Sequence, residues 1–252
     1  MTSCILKSEP KEQQIVCLVP SITELLYALE LEHQIIGITR FCVLPKQKNN
    51  NPTIIGGTKD FNVALIKKLN PDIIIANKEE NTKDLIEELM LEFPIYITDI
   101  KTINDALEMI RTLSKFFGKE SIGTKMVKDF FTTPQEPNNK NRTCIYLIWN
   151  HPIMTIGGDT FIHDMLLYAG FENCFKDASR YPIITEEIIT ALKPKYLFLS
   201  SEPYYFRNTH VQYYSEKFPF TKVVLVDGQI FSWYGSRILE FPNYISKLQN
   251  KL

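Results

Sequence analysis

Two stretches of the chain copy one another: "LIKKLNPDIIIANKEE" (65–80) and "IITALKPKYLFLSSEP" (188–203). Each has an apolar helix end, a Leu-x-Pro stop, a run of consecutive apolar residues and a glutamate. Superposing Pro71 on Pro194, an offset of 123 residues, carries Leu69 onto Leu192 and Glu79 onto Glu202. Proline cannot continue a helix, and an apolar run without alternation is how a strand buried on both faces of a parallel sheet reads. "TDI" after the first copy is matched by "VVLVDG" after the second. A chain with this internal repeat is constrained to two lobes of like design.

The surrounding residues extend the pattern. "IVCLVPSITELLYALEL" (15–31) opens as a buried strand and resumes at helical spacing after Pro20-Ser21. Ser21 is expected as the N-cap, with Glu24 completing a capping box. The free amides of such a junction suit an anion or a polar ligand edge, although an ordinary strand-to-helix turn explains the residues as well. "QIIGIT" (34–39) reads as a second strand, and "RFCVLPKQKNNNPTIIGGTKDF" (40–61) as irregular surface chain. A strand over 72–76, a helix over 82–92 and a strand over 95–99 follow. Strands alternating with helices predict an α/β fold with mainly parallel sheets. From Asn104 to about Phe131 the apolar spacing predicts one long helix, or two end to end. The polar segment "TTPQEPNNKNR" and a strand over 143–149 come next. The expected division is an N-terminal lobe over 1–101, a connecting backbone helix over 102–135 and a C-terminal lobe over 136–252.

Composition excludes several classes of function. With 252 residues, 44% hydrophobic, the chain can fill real cores, and its net charge of -1 leaves no basic footprint for nucleic acid and no polybasic membrane anchor. No run approaches the roughly 20 apolar residues of a membrane span, and the first residues show no signal peptide. The chain as written therefore reads as cytoplasmic, or as periplasmic if it is a trimmed mature form. Cys4, Cys17, Cys42, Cys144 and Cys174 are scattered without zinc-ligand spacing, which predicts reduced, mostly core thiols. The four histidines include no i, i+4 pair, so no metal site is expected. His163-Asp164 reads as a structural pair on a helix. Nucleophile-elbow, phosphate-loop and dinucleotide motifs are absent, the pairs Gly56-Gly57 and Gly157-Gly158 included.

Ligands of open α/β sheets bind beyond the carboxyl ends of the strands. In the first lobe those ends carry Ser21, Arg40, Phe41, Lys59 and Glu79. In the second they carry Trp149, His151, Glu202, Trp233, Tyr234 and Arg237. Aromatic faces among a few charged groups suit a large, flat, amphipathic ligand, with Arg40, Lys59 and Arg237 meeting its polar side groups. His151 stands where it could ligate the metal of a bound chelate axially.

The chain resembles the ABC-transporter solute-binding proteins with a helical backbone, which bind cobalamin, iron-siderophore or haem complexes, and is most similar to the cobalamin-binding branch. The likeness is carried by "PSITELLYALEL" then "IIGIT", by "LNPDIIIA", "GGDTFIHDMLLYAGFENCF", "EEIITALKPKYLFLS" and the closing aromatic-Gly-Ser-Arg segment. It implies two lobes joined by a long rigid backbone helix, a corrinoid or ferric chelate clamped between them as cargo, no resident cofactor and no catalysis. Ligand contacts are implied at Ser21, Trp149, Trp233, Tyr234 and Arg237, and docking to an ABC permease at Glu79, or its neighbour Glu80, and at Glu202. A monomer is expected. Two other readings stay open: an enzyme acting on a corrinoid or chelate through Glu79, Glu202 or His151, and a protein-interaction module using "IFSWYGSR".

Overall fold

The computed structural model describes residues 12–43, 45, 51–132 and 142–252. Cys4, the stretch read for a signal peptide, and much of the polar segments around 44–50 and 133–141 lie outside these residues. The chain forms two compact units. The first takes in described residues up to Ile100, Asn104–Asp129 and Tyr234–Arg237; the second takes in Lys101–Ile103, described residues of Phe130–Trp233, and Ile238–Leu252.

In the first unit β1 (Ile15–Cys17), β2 (Ile35–Ile38), β3 (Thr53–Ile54), β4 (Ile73–Asn77) and β5 (Ile95–Thr98) make one sheet in the order β3-β2-β1-β4-β5, parallel throughout. The helices are α1 (Pro20–Ala28), α2 (Val63–Leu69), α3 (Lys83–Met90), α4 (Ile103–Phe116) and α5 (Glu120–Thr132), with Ile103 and the last three residues of α5 counted in the second unit. The second unit has β6 (Thr143–Leu147), α6 (Phe161–Tyr168), β7 (Glu172–Asn173), α7 (Glu186–Leu192), β8 (Tyr196–Ser200), α8 (Asn208–Lys217), β9 (Lys222–Val226), α9 (Gly228–Ser232) and α10 (Phe241–Gln249). Its parallel sheet runs β7-β6-β8-β9.

The central strands explain the sequence pattern. Ile15–Leu18, Ile74–Ala76, Cys144–Leu147 and Leu197–Leu199 are wholly buried, because helices cover both faces of each sheet. Burying such side chains contributes roughly 1.5–3 kcal/mol each. In the first unit the core joins Val16, Leu18, Ile66, Ile74 and Leu89; in the second it joins Ile145, Leu147, Ile189, Leu197 and Phe206. The two-residue edge strands β3 and β7 went unread in the sequence, since neither carries an apolar run.

The repeat is exact in backbone terms. α2 and α7, and likewise β4 and β8, are related residue for residue by the offset read from the two prolines. Both helices end in a left-handed residue, Asn70 (φ 48°) and Lys193 (φ 47°), immediately before the proline. The right-handed helical region is disfavoured for a residue preceding proline, and the left-handed turn closes the helix instead.

Two expectations need correction. Ser21 does not cap α1: the helix begins at Pro20, Val19 is the extended N-cap residue, and no side chain caps it. Proline suits the first helical position, where its missing N–H costs nothing. Consequently no capping box forms, and Glu24 bonds to Arg237 instead. The second concerns the single backbone helix, one of two readings open for residues 104–131: the segment is two helices. Gly118 (φ 68°) breaks it, and the Lys119 amide donates to the Ser114 carbonyl at 2.7 Å. Ala106, Leu107, Met109, Ile110 and Leu113 form the buried face of α4. Cys17, Cys42 and Cys144 are buried free thiols and Cys174 is half-buried. Burial pushes the thiols of Cys17 and Cys144 well up, which makes them unreactive.

Candidate functional site

In a parallel sheet a crevice opens where successive connections leave in opposite directions, beyond the carboxyl ends of the two strands. Strand order places that point between β1 and β4 in the first unit and between β6 and β8 in the second.

The rim of the first unit is built by two asparagines that the sequence reading missed. Asn77 ends β4, and its Oδ1 accepts from the amides of Glu79 (2.8 Å) and Glu80 (3.1 Å). Buried Asn81 accepts from the Asn77 amide at 2.8 Å and donates to the carbonyls of Leu18 (3.2 Å) and Thr58 (3.0 Å). One side chain thus ties together the loops after β1, β3 and β4. The signal was present in "ANKEEN", where Asn residues flank a short acidic turn after a strand. Lys59 Nζ donates to the Glu79 carbonyl at 2.6 Å. Arg40 holds both Asp60 oxygens at 2.8 and 3.0 Å, lies over the Phe41 ring at 5.2 Å, and draws the Asp60 carboxyl below its usual range. A Cβ on Gly57 would stand 2.1 Å from Asp60 Oδ1, so glycine is what admits this pair.

The crevice of the first unit is occupied by the chain itself. Tyr234 is buried and donates its hydroxyl to Glu80 Oε1 at 2.8 Å. Burial foremost, then the Glu80 carboxylate, drives the phenol well above its usual range, and the Ser21 hydroxyl acts the other way. A Cβ on Gly235 would lie 2.1 Å from the Ser21 carbonyl oxygen. Arg237 completes the contact, its Nε and Nη2 donating to the two Glu24 oxygens at 3.1 and 2.9 Å. Tyr234 and Arg237, expected as ligand contacts from the second lobe, therefore belong to the first unit, where they bond to Glu80 and Glu24.

The crevice of the second unit is different. Trp149, just past β6, is 39% exposed, and its Nε1 donates to the His151 carbonyl at 3.1 Å. Its loop is fixed from below by Asn150, which accepts from the Tyr214 hydroxyl at 2.7 Å, and by the Ile148 and Met154 amides, which bond back to Met154 and Trp149 carbonyls at 3.0 Å. Tyr204, past β8, packs edge-on to Trp149 with ring centroids 5.6 Å apart. His151 is exposed on the same loop. Trp233 and Glu202 are committed to each other: Glu202 Oε1 accepts from Trp233 Nε1 at 3.0 Å and from Ser232 Oγ at 3.1 Å. Among the described residues no group of three His, Cys, Asp or Glu is placed to hold a metal ion.

Burial raises the Glu202 carboxyl above its usual 4.5, against the bonds from Ser232, Gln229 and Trp233. A carboxyl whose folded pKa exceeds its unfolded one binds its proton more tightly when folded. Its contribution is fully present below the unfolded value and is lost as pH rises through the folded value. E202Q keeps an acceptor for Trp233 and cannot ionise. It should melt no lower than wild type at neutral pH, with a flatter decline in melting temperature as pH rises above 4.5. A lower melting point at neutral pH would show that the charge itself is required.

Comparison with known proteins extends this description. A family model described as periplasmic binding protein matches residues 15–212. The chain is 27% identical over 205 residues to the vitamin B12-binding protein of Vibrio vulnificus (strain CMCP6), covering 79% of this chain and 74% of that one. It is 27% identical over 202 residues to the ABC transporter substrate-binding lipoprotein YvrC of Bacillus subtilis (strain 168), covering 75% of this chain and 63% of the relative. The periplasmic heme-binding protein HutB of Vibrio cholerae superposes with a TM-score of 0.78 over 95% of this chain and 99% of its own, at 16% identity. That last likeness concerns the fold alone, and it is the fold of two helix-flanked parallel sheets described above. With a family model matched over residues 15–212, well over half of the chain, the protein belongs to the periplasmic binding protein family.

Proposed function

We propose that the protein is a carrier for a large, flat metal chelate, a corrinoid or a haem-like complex, which it hands to an ABC permease without transforming it. The observation that carries the reading is Trp149, a half-exposed indole on a loop anchored by Asn150 and Tyr214 at the crevice of the second unit. A rigid aromatic face of this kind gains affinity from a planar ligand at little entropic cost. The B12-binding relative supports the ligand class, and the substrate-binding lipoprotein supports the permease. The same company supports capture on the outer side of the cytoplasmic membrane rather than within the cytoplasm.

Arg40 and Lys59 stand on the rim of the first unit as contacts for polar side groups, with the Phe41 ring against Arg40. Glu79, half-exposed on the loop after β4, and Glu202 are the docking carboxylates of this reading. Glu202 reaches a permease arginine only by releasing Trp233 and Ser232, so Glu79 is the stronger contact of the two.

The test is a fluorescence titration of the purified protein with cobalamin, cobinamide, haem and a ferric siderophore, corrected for absorbance and confirmed by calorimetry. Saturable quenching by a corrinoid or haem, with the ligand recovered unchanged, is the expected result. Silence across the panel, or turnover of the ligand, overturns it.

A further inference from the structure

The hydrogen-bond direction at the Tyr204 hydroxyl is fixed by its neighbours. The Arg207 amide, which can only donate, points at His210 Nδ1 at 3.0 Å, so that nitrogen carries the lone pair. The proton of the neutral ring is therefore on Nε2, which lies 3.1 Å from the Tyr204 oxygen. Tyr204 accepts that bond, and its own proton turns away from His210. The ring cannot swing to follow a different partner: it is held edge-on by Trp149 (5.6 Å), Phe206 (4.7 Å) and His210 (5.5 Å), with Phe206 wholly buried beneath. The Tyr204 amide also donates to the Ile148 carbonyl at 3.3 Å, joining the β8 loop to the strand end that carries Trp149.

We infer that Tyr204 is a specificity-determining donor: its hydroxyl proton bonds a carboxylate or amide oxygen on the rim of a flat ligand lying against Trp149. A ligand whose rim offers only donors would meet this proton head-on, and one with an alkyl rim would leave it unpaired. The inference rests on the proposed carrier reading and names the rim chemistry that reading leaves open.

The experiment compares wild type, Y204F and W149A by calorimetry with haem and with cobinamide, alongside carbon NMR of protein labelled at the tyrosine ring carbon that bears the oxygen. Phenylalanine keeps the ring contacts and removes the donor. The expected result is about tenfold weaker binding by Y204F of the ligand that wild type takes, together with a ligand-induced shift of the one tyrosine signal missing from Y204F. Unchanged affinity in Y204F while W149A binds weakly would overturn the donor role and leave the carrier reading standing. Failure of wild type to bind these two, and cobalamin and a ferric siderophore as well, would overturn both. If Y204F does not fold, a fluorotyrosine placed at position 204 alone decides: a fluorine shift on ligand addition supports the donor, and a still signal in a saturated protein refutes it.

Discussion

Replacing Arg237 with alanine should lower the melting temperature by roughly 6–12 °C, the equivalent of about 3 kcal/mol in a chain of this size. The reason is what the change leaves behind. Side chains of Arg237 and Glu24 are only 13% and 17% exposed, and both oxygens of Glu24 are occupied by the guanidinium. Removing one member of a shielded pair strands the other charge, which costs far more than the pair itself is worth. For the same reason the double variant E24Q/R237M, which removes both charges and keeps much of the volume, should recover most of the loss. Thermal unfolding of the two variants measures both effects. A single variant as stable as wild type would mean that Glu24 is solvated when unpaired.

W149A should weaken ligand binding by about 30-fold, near 2 kcal/mol, as expected for an aromatic anchor at the centre of an interface. Its melting temperature without ligand should move little, since the indole is half-exposed and its loop is held by Asn150 rather than by the ring. W149F, which preserves a flat apolar face, should bind within a few-fold of wild type. Calorimetry is the measurement of choice because the substitution removes a fluorophore. Equal losses in W149A and W149F would point to the indole N–H, now bonded to the His151 carbonyl, rather than to the aromatic face.

What the sequence revealed follows from range. Features set by neighbours along the chain were legible: consecutive apolar residues became central strands, and Leu-x-Pro became a left-handed helix end at Asn70 and again at Lys193. Glu24 followed Ser21 at capping-box spacing, yet its partner lies 213 residues away, and no local pattern encodes that choice. Tyr234 had the same difficulty. In sequence it belongs to an aromatic cluster with Trp233, while in the fold the two adjacent rings serve different units, one bonded to Glu80 and the other to Glu202. β3 and β7 were invisible because two edge residues bury too little to need an apolar signature. The strand-end candidates were located by topology, but which of them offers an open face depended on Asn81 and Asn150, whose roles are to accept and donate over long separations.

The return of residues 234–237 to the first unit has a consequence for synthesis. Everything else in that unit has been translated by Asp129, yet the partners of Glu80 and Glu24 emerge 154 and 213 residues behind them. A growing chain can assemble the first sheet early, but the bonds from Tyr234 to Glu80 and from Arg237 to Glu24 form only after residues 234–237 have left the ribosome. A nascent chain halted before Tyr234 would therefore hold a first unit that lacks both of these long-range bonds.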